Sequence, residues 1–425
     1  MRIETLELVN FRNFETAVFN FPTNFTVVIG ENGKGKSSIL QGLRVAAATF
    51  LLGIDEAERY HIQKEDVRRI DLQNRFVPQK GCSVAAHGQI NGTTIAWKRK
   101  ISTPNGRTDT KDAYDLIHIA EQLNNAVNQE LKEDVDLPVI NFFSTARLWV
   151  ETKQTVKLKK KGSKLRDGYA RCLDSKSDKK SPMEWIKSAY WKKLKDKPDS
   201  VLLDAVLEAI GICIPNWTPT EWDEDNDDLG GIFKDTEGNT SFIPLFYLSD
   251  GLRTMAAMVA EIAYRCVVLN PHLGKLAVKQ TKGVVLIDEI DMHLHPKWQQ
   301  CVVNDLKTAF PEIQFIATTH SPFIVQSLKA EELINLDRWT DVDPDRLTVD
   351  EVSKNIMGLV DEYGSESRKD ESTSEEYLKL LDSSKKADLE DALTELESQV
   401  SDPAVRAFLK LQKLKKESSS DETNK

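Results

Sequence analysis

Over the first twenty residues apolar and polar positions alternate: Ile3, Leu6 and Leu8, then Phe11, Phe14, Val18 and Phe19. A period near two marks half-buried strands, so this stretch predicts a small sheet at the N-terminus. Residues 81–101 alternate in the same way around Asn91-Gly92, a pair suited to a tight turn, and predict a hairpin. Four short apolar runs read as strands buried on both faces: "NFTVVIG" (24–30), "LPVINFF" (137–143), "GVVLIDEI" (283–290) and "IQFIATTH" (313–320). Helical patterns lie after Ser37, over 111–133, around 183–210, over 251–269 and near 297–309. Strands alternating with helices predict an α/β fold with a mainly parallel sheet. Residues 221–240 read as an acidic, glycine-containing loop. No repeats occur, and no heptad pattern is sustained between Lys36 and Ser249, so long coiled-coil arms are not expected.

The turn after the first buried run is unusual. "VIGENGKGKSSIL" (28–40) packs Gly30, Gly33, Gly35, Lys34 and Lys36 between a strand and a helix. Read as G-x-x-x-x-G-K-S, it is a phosphate-cradling loop: backbone N–H groups face phosphate oxygens, with the positive end of the helix dipole behind them. Asn32, Gly33, Lys34, Gly35 and Ser38 would line ATP. Lys36 would reach the β- and γ-phosphates, and the Ser37 hydroxyl would ligate Mg²⁺.

Three later motifs extend this chemistry. The run "VVLIDEI" ends in Asp288 and Glu289, which places both carboxylates at the C-terminal edge of a parallel sheet, beside the phosphate loop. Asp288 is then a candidate to hold Mg²⁺ through water, and Glu289 a general base for the attacking water. His320, ending the next buried run, is either a structural imidazole or a hydrogen-bond partner of the γ-phosphate or of that water. "YLSDGLR" (247–253) puts Ser249, Asp250 and Gly251 at a helix N-terminus, either a plain N-cap or a second anion-binding end. Gln63, in "HIQKEDVRR", is a weak candidate for a metal-proximal glutamine, the alternative being an ordinary surface residue.

Composition narrows the class. The chain has 425 residues, enough for one large domain with insertions or for two or three smaller ones. No apolar run approaches the ~20 residues that span a bilayer. The N-terminus carries acids where a secretory signal needs an apolar core. Cys82, Cys172, Cys213, Cys266 and Cys301 are scattered without C-x-x-C pairs, which argues against a zinc site or a disulfide framework and for a reduced, cytoplasmic protein. Net charge is −10, yet residues 151–200 carry sixteen Lys/Arg against seven Asp/Glu. Lys159, Lys160 and Lys161 in that window are either nucleic-acid contacts or part of a solvated loop.

Taken in order, the phosphate loop, L-S-x-G, the D-E strand, "HLHP" and the strand-end histidine resemble the ABC-type ATPase head of SMC-like and RecF-like proteins, over roughly residues 1–335. "PVINFFSTARLW" (138–149) and "LSDGLRTMAAMVAEIAYRCVVLNPHL" (248–273) look like bacterial defence ATPases of the AAA-15/AAA-21 type, Septu ATPase subunits among them. The resemblance implies a head with a mainly parallel phosphate-loop sheet, an N-terminal antiparallel β subdomain and a helical insertion. It implies that Arg12 and Asn13, in "LVNFRNF", approach the nucleotide. "DMHLHPKWQQ" (291–300) resembles the segment that crosses a dimer interface. Two copies would pack face to face as a homodimer or within a higher homo-oligomer, with Ser249, Asp250 and Gly251 of one completing the ATP site of the other. The signature reads "LSDG" rather than L-S-G-G-Q, and no membrane-coupling segment is evident.

The expected organisation is the first half of the head over 1–150, a basic helical insertion and acidic loop over 151–240, the second half over 241–345, and a helical tail over 346–425 ending in a disordered "ESSSDETNK". Nucleases that share this head append a TOPRIM domain, for which the residues after "HSPFIVQSL" are too few. A nuclease is therefore expected on a partner chain, of HNH type as in Septu systems. The alternative is a RecF-like clamp on DNA. In the tail, Tyr377, Leu378, Leu380 and Leu381, then Leu389, Leu393 and Leu396, then Val405, Phe408, Leu409 and Leu411 form apolar sets that either fold back on the head or dock a partner.

Overall fold

The structure, a computed structural model, describes residues 1–72, 75–104, 106–128, 134–148, 163–175, 180–195, 200–337, 342–359, 373–379, 381, 394–396, 398–400 and 405–413. In chain order the elements are β1 (Arg2–Phe11), β2 (Phe14–Asn20), β3 (Phe25–Ile29), α1 (Lys36–Leu51), β4 (Arg69–Asp71), β5 (Phe76–Pro78), β6 (Cys82–Ile90), β7 (Thr93–Ile101), α2 (Tyr114–Asn128), β8 (Val139–Phe143), α3 (Lys164–Tyr169), α4 (Lys180–Lys193) and α5 (Ser200–Cys213). They continue with β9 (Trp217–Asp223), β10 (Asp228–Lys234), β11 (Thr240–Pro244), α6 (Asp250–Leu269), α7 (Ala277–Gln280), β12 (Gly283–Ile287), α8 (Pro296–Gln299), α9 (Val302–Ala309), β13 (Ile313–Thr318), α10 (Pro322–Gln326), β14 (Leu333–Asn335) and α11 (Val349–Glu351).

The four continuous apolar runs become β3, β8, β12 and β13, every residue of which is buried. With β14 they make a five-stranded sheet, order β14-β3-β13-β12-β8, and every neighbouring pair is parallel. The alternating N-terminal strands and the Asn91-Gly92 hairpin make an antiparallel sheet, order β2-β1-β6-β7. Helix α1 packs against strands of both sheets, which is why its buried residues run all round it. A buried amide ties the sheets directly. Gln314 on β13 accepts from Ile3 N (2.8 Å) and donates to Ile3 O (2.7 Å), where the β1–β6 register shifts.

The expected acidic loop at 221–240 is instead a three-stranded antiparallel meander, β11-β10-β9. Apart from Glu221 within β9, its acids sit in the two turns and at the strand ends beside them, where Asp223 accepts from Asp225 N and Asn226 N and Asp235 from Glu237 N and Asn239 N. Trp217 and Trp222 bury its inner face. The helix expected near 297–309 is two helices, α8 and α9.

Residues Met1–Met357 form one unit, whose core includes Val352 and Ile356. The longest helix described is α6, with 20 residues; among the described residues none is long and apolar enough to cross a membrane. The second unit is Gly358–Lys425. Residues 373–379 and 405–413 there are helical. Tyr377, Leu381, Val400 and Leu409 bury one another, with Leu378, Leu396 and Val405 against them. Phe408 and Leu411 are exposed, while the side chains of Leu380, Leu389 and Leu393 lie outside the described residues.

Candidate active site

A parallel sheet delivers all its strand ends to one edge. Here that edge receives the turn after β3, Asp288 after β12, Thr318–His320 at the end of β13, and Asp337 after β14. Between β3 and α1 the chain turns sharply at Gly35, at φ 107°, where a Cβ would lie 2.5 Å from the Phe14 ring. Only glycine fits both the conformation and the contact. The first N–H groups of the 16-residue helix α1 open on this turn with the dipole behind them. Asn13 Nδ2 donates to Gly33 O (2.7 Å), so the β1–β2 turn braces the loop. Asn32 and Lys34 are exposed, Ser38 is buried, and Lys34 pairs with Asp337 at 3.5 Å.

Lys36 is buried, with Nζ donating to Gly30 O (2.6 Å) and Glu31 O (3.2 Å). Burial pulls its pKa below the ordinary lysine value, against the opposing fields of Asp337, Asp288 and Glu289. Asp337 also accepts from Glu31 N at 2.7 Å.

Ser37 begins the exposed mouth of the site, and its Oγ donates to Asp288 Oδ2 at 3.2 Å across 251 residues of sequence. A hydroxyl and a carboxylate so placed are hard oxygen donors that suit Mg²⁺ beside a phosphate, so the residues fit that ion. Thr318 Oγ1 donates to Asp288 Oδ1 (2.6 Å) and accepts from Glu289 N (2.9 Å). Glu289 is half-buried and has φ 50°, the left-handed region. His320 is exposed just past β13, the strand between β3 and β12.

The remaining candidates are placed as follows. Arg12, also left-handed at φ 48°, bonds through Nε to Asp66 Oδ1 (2.7 Å), and Asp66 is buried. Gln63 is exposed, and its Nε2 donates to the nearby His61 O at 2.7 Å. Its backbone N–H goes to Asp66, so the "HIQKEDVRR" segment and Arg12 share that carboxylate. Ser249 and Asp250 are exposed at the start of α6, and Ser249 makes no side-chain cap bond. Gly251 is buried against His293, whose carbonyl oxygen would lie 2.2 Å from a Cβ there. Lys159, Lys160 and Lys161 lie outside the described residues.

Sequence reasoning missed Thr318, Asp337 and Asp66. Asp337 had a signal, since "LINLD" is another short apolar run ending in a carboxylate. Thr318 and Asp66 had none beyond adjacency to His320 and Gln63.

Residues 5–210 match the family model of an AAA domain. The probable ATPase of Retron Vc95, from Vibrio cholerae serotype O1 biovar El Tor, is 50% identical over 95 residues, covering 22% of this chain and 18% of that protein. The probable ATPase of Retron Ec83, from Escherichia coli, is 24% identical over an alignment covering 78% of this chain and 71% of that protein. The Septu protein PtuA of Bacillus thuringiensis is 37% identical over 129 residues, covering 27% of this chain and 32% of that protein. The chain thus matches well under two thirds of the Vc95 and Septu relatives.

Proposed function

We propose that the chain is an SMC/RecF-like ATPase, that it is the ATP-hydrolysing subunit of an anti-phage defence assembly, and that it controls a nuclease of HNH type on a separate chain. The AAA-domain match and the retron and Septu relatives support this reading. The observation that carries the reading is the single sheet edge where Ser37 Oγ lies 3.2 Å from Asp288 Oδ2, with Lys36 behind and Glu289 beside them. The retron and Septu relatives support the defence setting.

The loop N–H groups bind the phosphates, and Lys36 Nζ exchanges its bonds to Gly30 O and Glu31 O for phosphate oxygens. Arg12, Asn13, Asn32, Gly33, Lys34, Gly35 and Ser38 line the nucleotide. Ser37 and Asp288 would hold Mg²⁺, which would supply charge neutralisation at the phosphates. Glu289 takes the proton of the attacking water, and His320 hydrogen-bonds the γ-phosphate. Ser249, Asp250 and Gly251 close the site from a second copy, Ser249 presenting a hydroxyl that caps nothing in its own chain.

Glu289→Gln should keep ATP binding while turnover falls ~10²–10⁴-fold, the usual worth of a positioned base. Lys36→Ala should weaken binding itself. Mixing Lys36→Ala with Ser249→Arg should restore one competent site per dimer and hence partial activity. Wild-type turnover by Glu289→Gln would refute the base. Absence of rescue despite proven subunit exchange would refute the composite site. Co-purification of an HNH nuclease, weighed by native mass spectrometry, tests the partner.

A further inference from the structure

Thr318 lies at the end of β13, in the strand between the phosphate-loop strand and the Asp288 strand, and its side chain touches neither the loop nor α1 by hydrogen bond. It is buried. A threonine hydroxyl has one hydrogen and two lone pairs. The hydrogen goes to Asp288 Oδ1 at 2.6 Å, and a lone pair accepts from Glu289 N at 2.9 Å. The backbone of Thr318 adds a third tie, accepting from Ile290 N at 2.9 Å. Held at Oδ1 by Thr318, Asp288 presents its carboxylate to Ser37 Oγ, which lies 3.2 Å from Oδ2 and 3.4 Å from Oδ1. The bond to Glu289 N holds a non-glycine residue at φ 50°, a conformation that an L side chain seldom adopts unaided.

We propose that Thr318 is a positioning residue for ATP hydrolysis: one buried hydroxyl clamps Asp288 and Glu289, fixing the metal-side carboxylate and the base in a set relation to Ser37. The proposal rests on the roles given above to Asp288 and Glu289. The next residue extends the clamp. Thr319 Oγ1 donates to Asp291 Oδ1 at 2.6 Å, so two successive hydroxyls, at the end of β13 and just past it, hold the segment that follows β12.

The test uses the full chain. Thr318→Val removes the hydroxyl at nearly constant volume. It should lower kcat about 10- to 100-fold, the usual loss when a residue orienting a metal-side ligand goes, with little change in KM for ATP. Binding of a fluorescent ATP analogue, titrated with Mg²⁺, should need about 10-fold more Mg²⁺ for half-saturation. Thr318→Ser keeps the hydroxyl and should recover most of both. Adding Thr318→Val to Glu289→Gln should slow turnover far less than it does alone, because part of what it disturbs is already gone. If the valine variant fails to fold by circular dichroism, Thr318→Ala, which leaves room for water, should show the same losses. Wild-type kcat and Mg²⁺ requirement without the hydroxyl would overturn the proposal, as would a serine variant as impaired as the valine one. Glu289→Gln, assayed in parallel, separates the failures. If it turns over normally, the assignment of the base fails. If it is inactive while Thr318→Val is normal, only the clamp fails.

Discussion

Arg265→Met probes how the helix that begins at Ser249 is held. In the C-terminal half of α6, Arg265 Nη2 meets Glu261 Oε1 at 2.8 Å, with side-chain exposures of 2% and 3%. Arg265 also donates to Gly168 O (2.7 Å) and Ala170 O (3.0 Å) at the end of α3, and Glu261 accepts from Asn141 Nδ2 (3.1 Å) on β8. The pair thus joins α6 to the edge strand of the parallel sheet and to the segment after β8. Desolvating two charges offsets most of their attraction, so the pair contributes modestly as a whole, but removing one partner strands the other. Arg265→Met should therefore destabilise Met1–Met357 by about 3–5 kcal/mol. Glu261→Gln keeps an acceptor oxygen for Asn141 and Arg265 and should cost less, about 1–3 kcal/mol. The double variant should fall short of the sum by about 0.5–3 kcal/mol, the coupling expected within one network. Urea unfolding at 25 °C, followed by circular dichroism, measures all three. Because α6 rises about 1.5 Å per residue, the pair lies more than three turns from Ser249, and Glu261→Gln should keep wild-type turnover where it stays folded. A loss below about 1 kcal/mol for Arg265→Met, or strict additivity, would refute the network.

Two further outcomes follow from buried contacts. Gln314→Leu should leave Ile3 N–H and C=O without the partners described above, at about 1–3 kcal/mol for each buried group; urea unfolding and faster hydrogen exchange at Ile3 would report it, and a neutral variant would refute the tie between the sheets. His61 has its pKa lowered from 6.5, by burial first and then by Arg99 and Arg59, and its Nδ1 lies 2.7 Å from Arg99 Nη2, which can only donate. The unfolded chain therefore binds this proton more readily than the folded one, so stability falls as pH drops below 6.5, by at most about 1.4 kcal/mol per pH unit. His61→Gln should flatten the fall in urea midpoint between about pH 6.5 and pH 5, and an unchanged pH dependence would refute it.

What was legible in the sequence follows from the length scale of each signal. Period-two alternation and the Asn91-Gly92 turn are local, and they located β1, β2, β6 and β7. Continuous apolar runs located β3, β8, β12 and β13, because a parallel sheet covered on both faces demands them. The meander β9–β11 was read as a loop because its acids crowd the turns and the strand ends beside them and Gly230-Gly231 interrupts the alternation between Trp222 and Phe233. The order of motifs along the chain was readable, but the order of strands in the sheet was not. Nothing local says that β13 lies between β3 and β12, and that placement is what brings Thr318 to Asp288. Arg12 was expected near the nucleotide, and its tie to Asp66 joins residues 54 apart that no shared pattern connects.

These non-local contacts share a physical purpose. Arg12, Glu289 and His293 have φ of 48°, 50° and 62°. Each such residue costs about 1–2 kcal/mol relative to ordinary backbone, and the cost is sustained only where the surroundings over-determine it. Each has a support from elsewhere in the chain. Asp66 bonds Arg12 through backbone and side chain alike, with Arg12 N to Asp66 O at 2.7 Å. Thr318 holds Glu289 N. Gly251, lacking a side chain, lets the His293 carbonyl seat against the start of α6. The His293–Gly251 contact also joins the segment after Glu289 to the helix that begins at Ser249, within one chain. If Ser249 serves the ATP of a second copy, a shift at one chain's Glu289 segment reaches the other chain's nucleotide through a contact with no room for slack. A site whose strained residues are each pinned by a different element cannot relax one at a time.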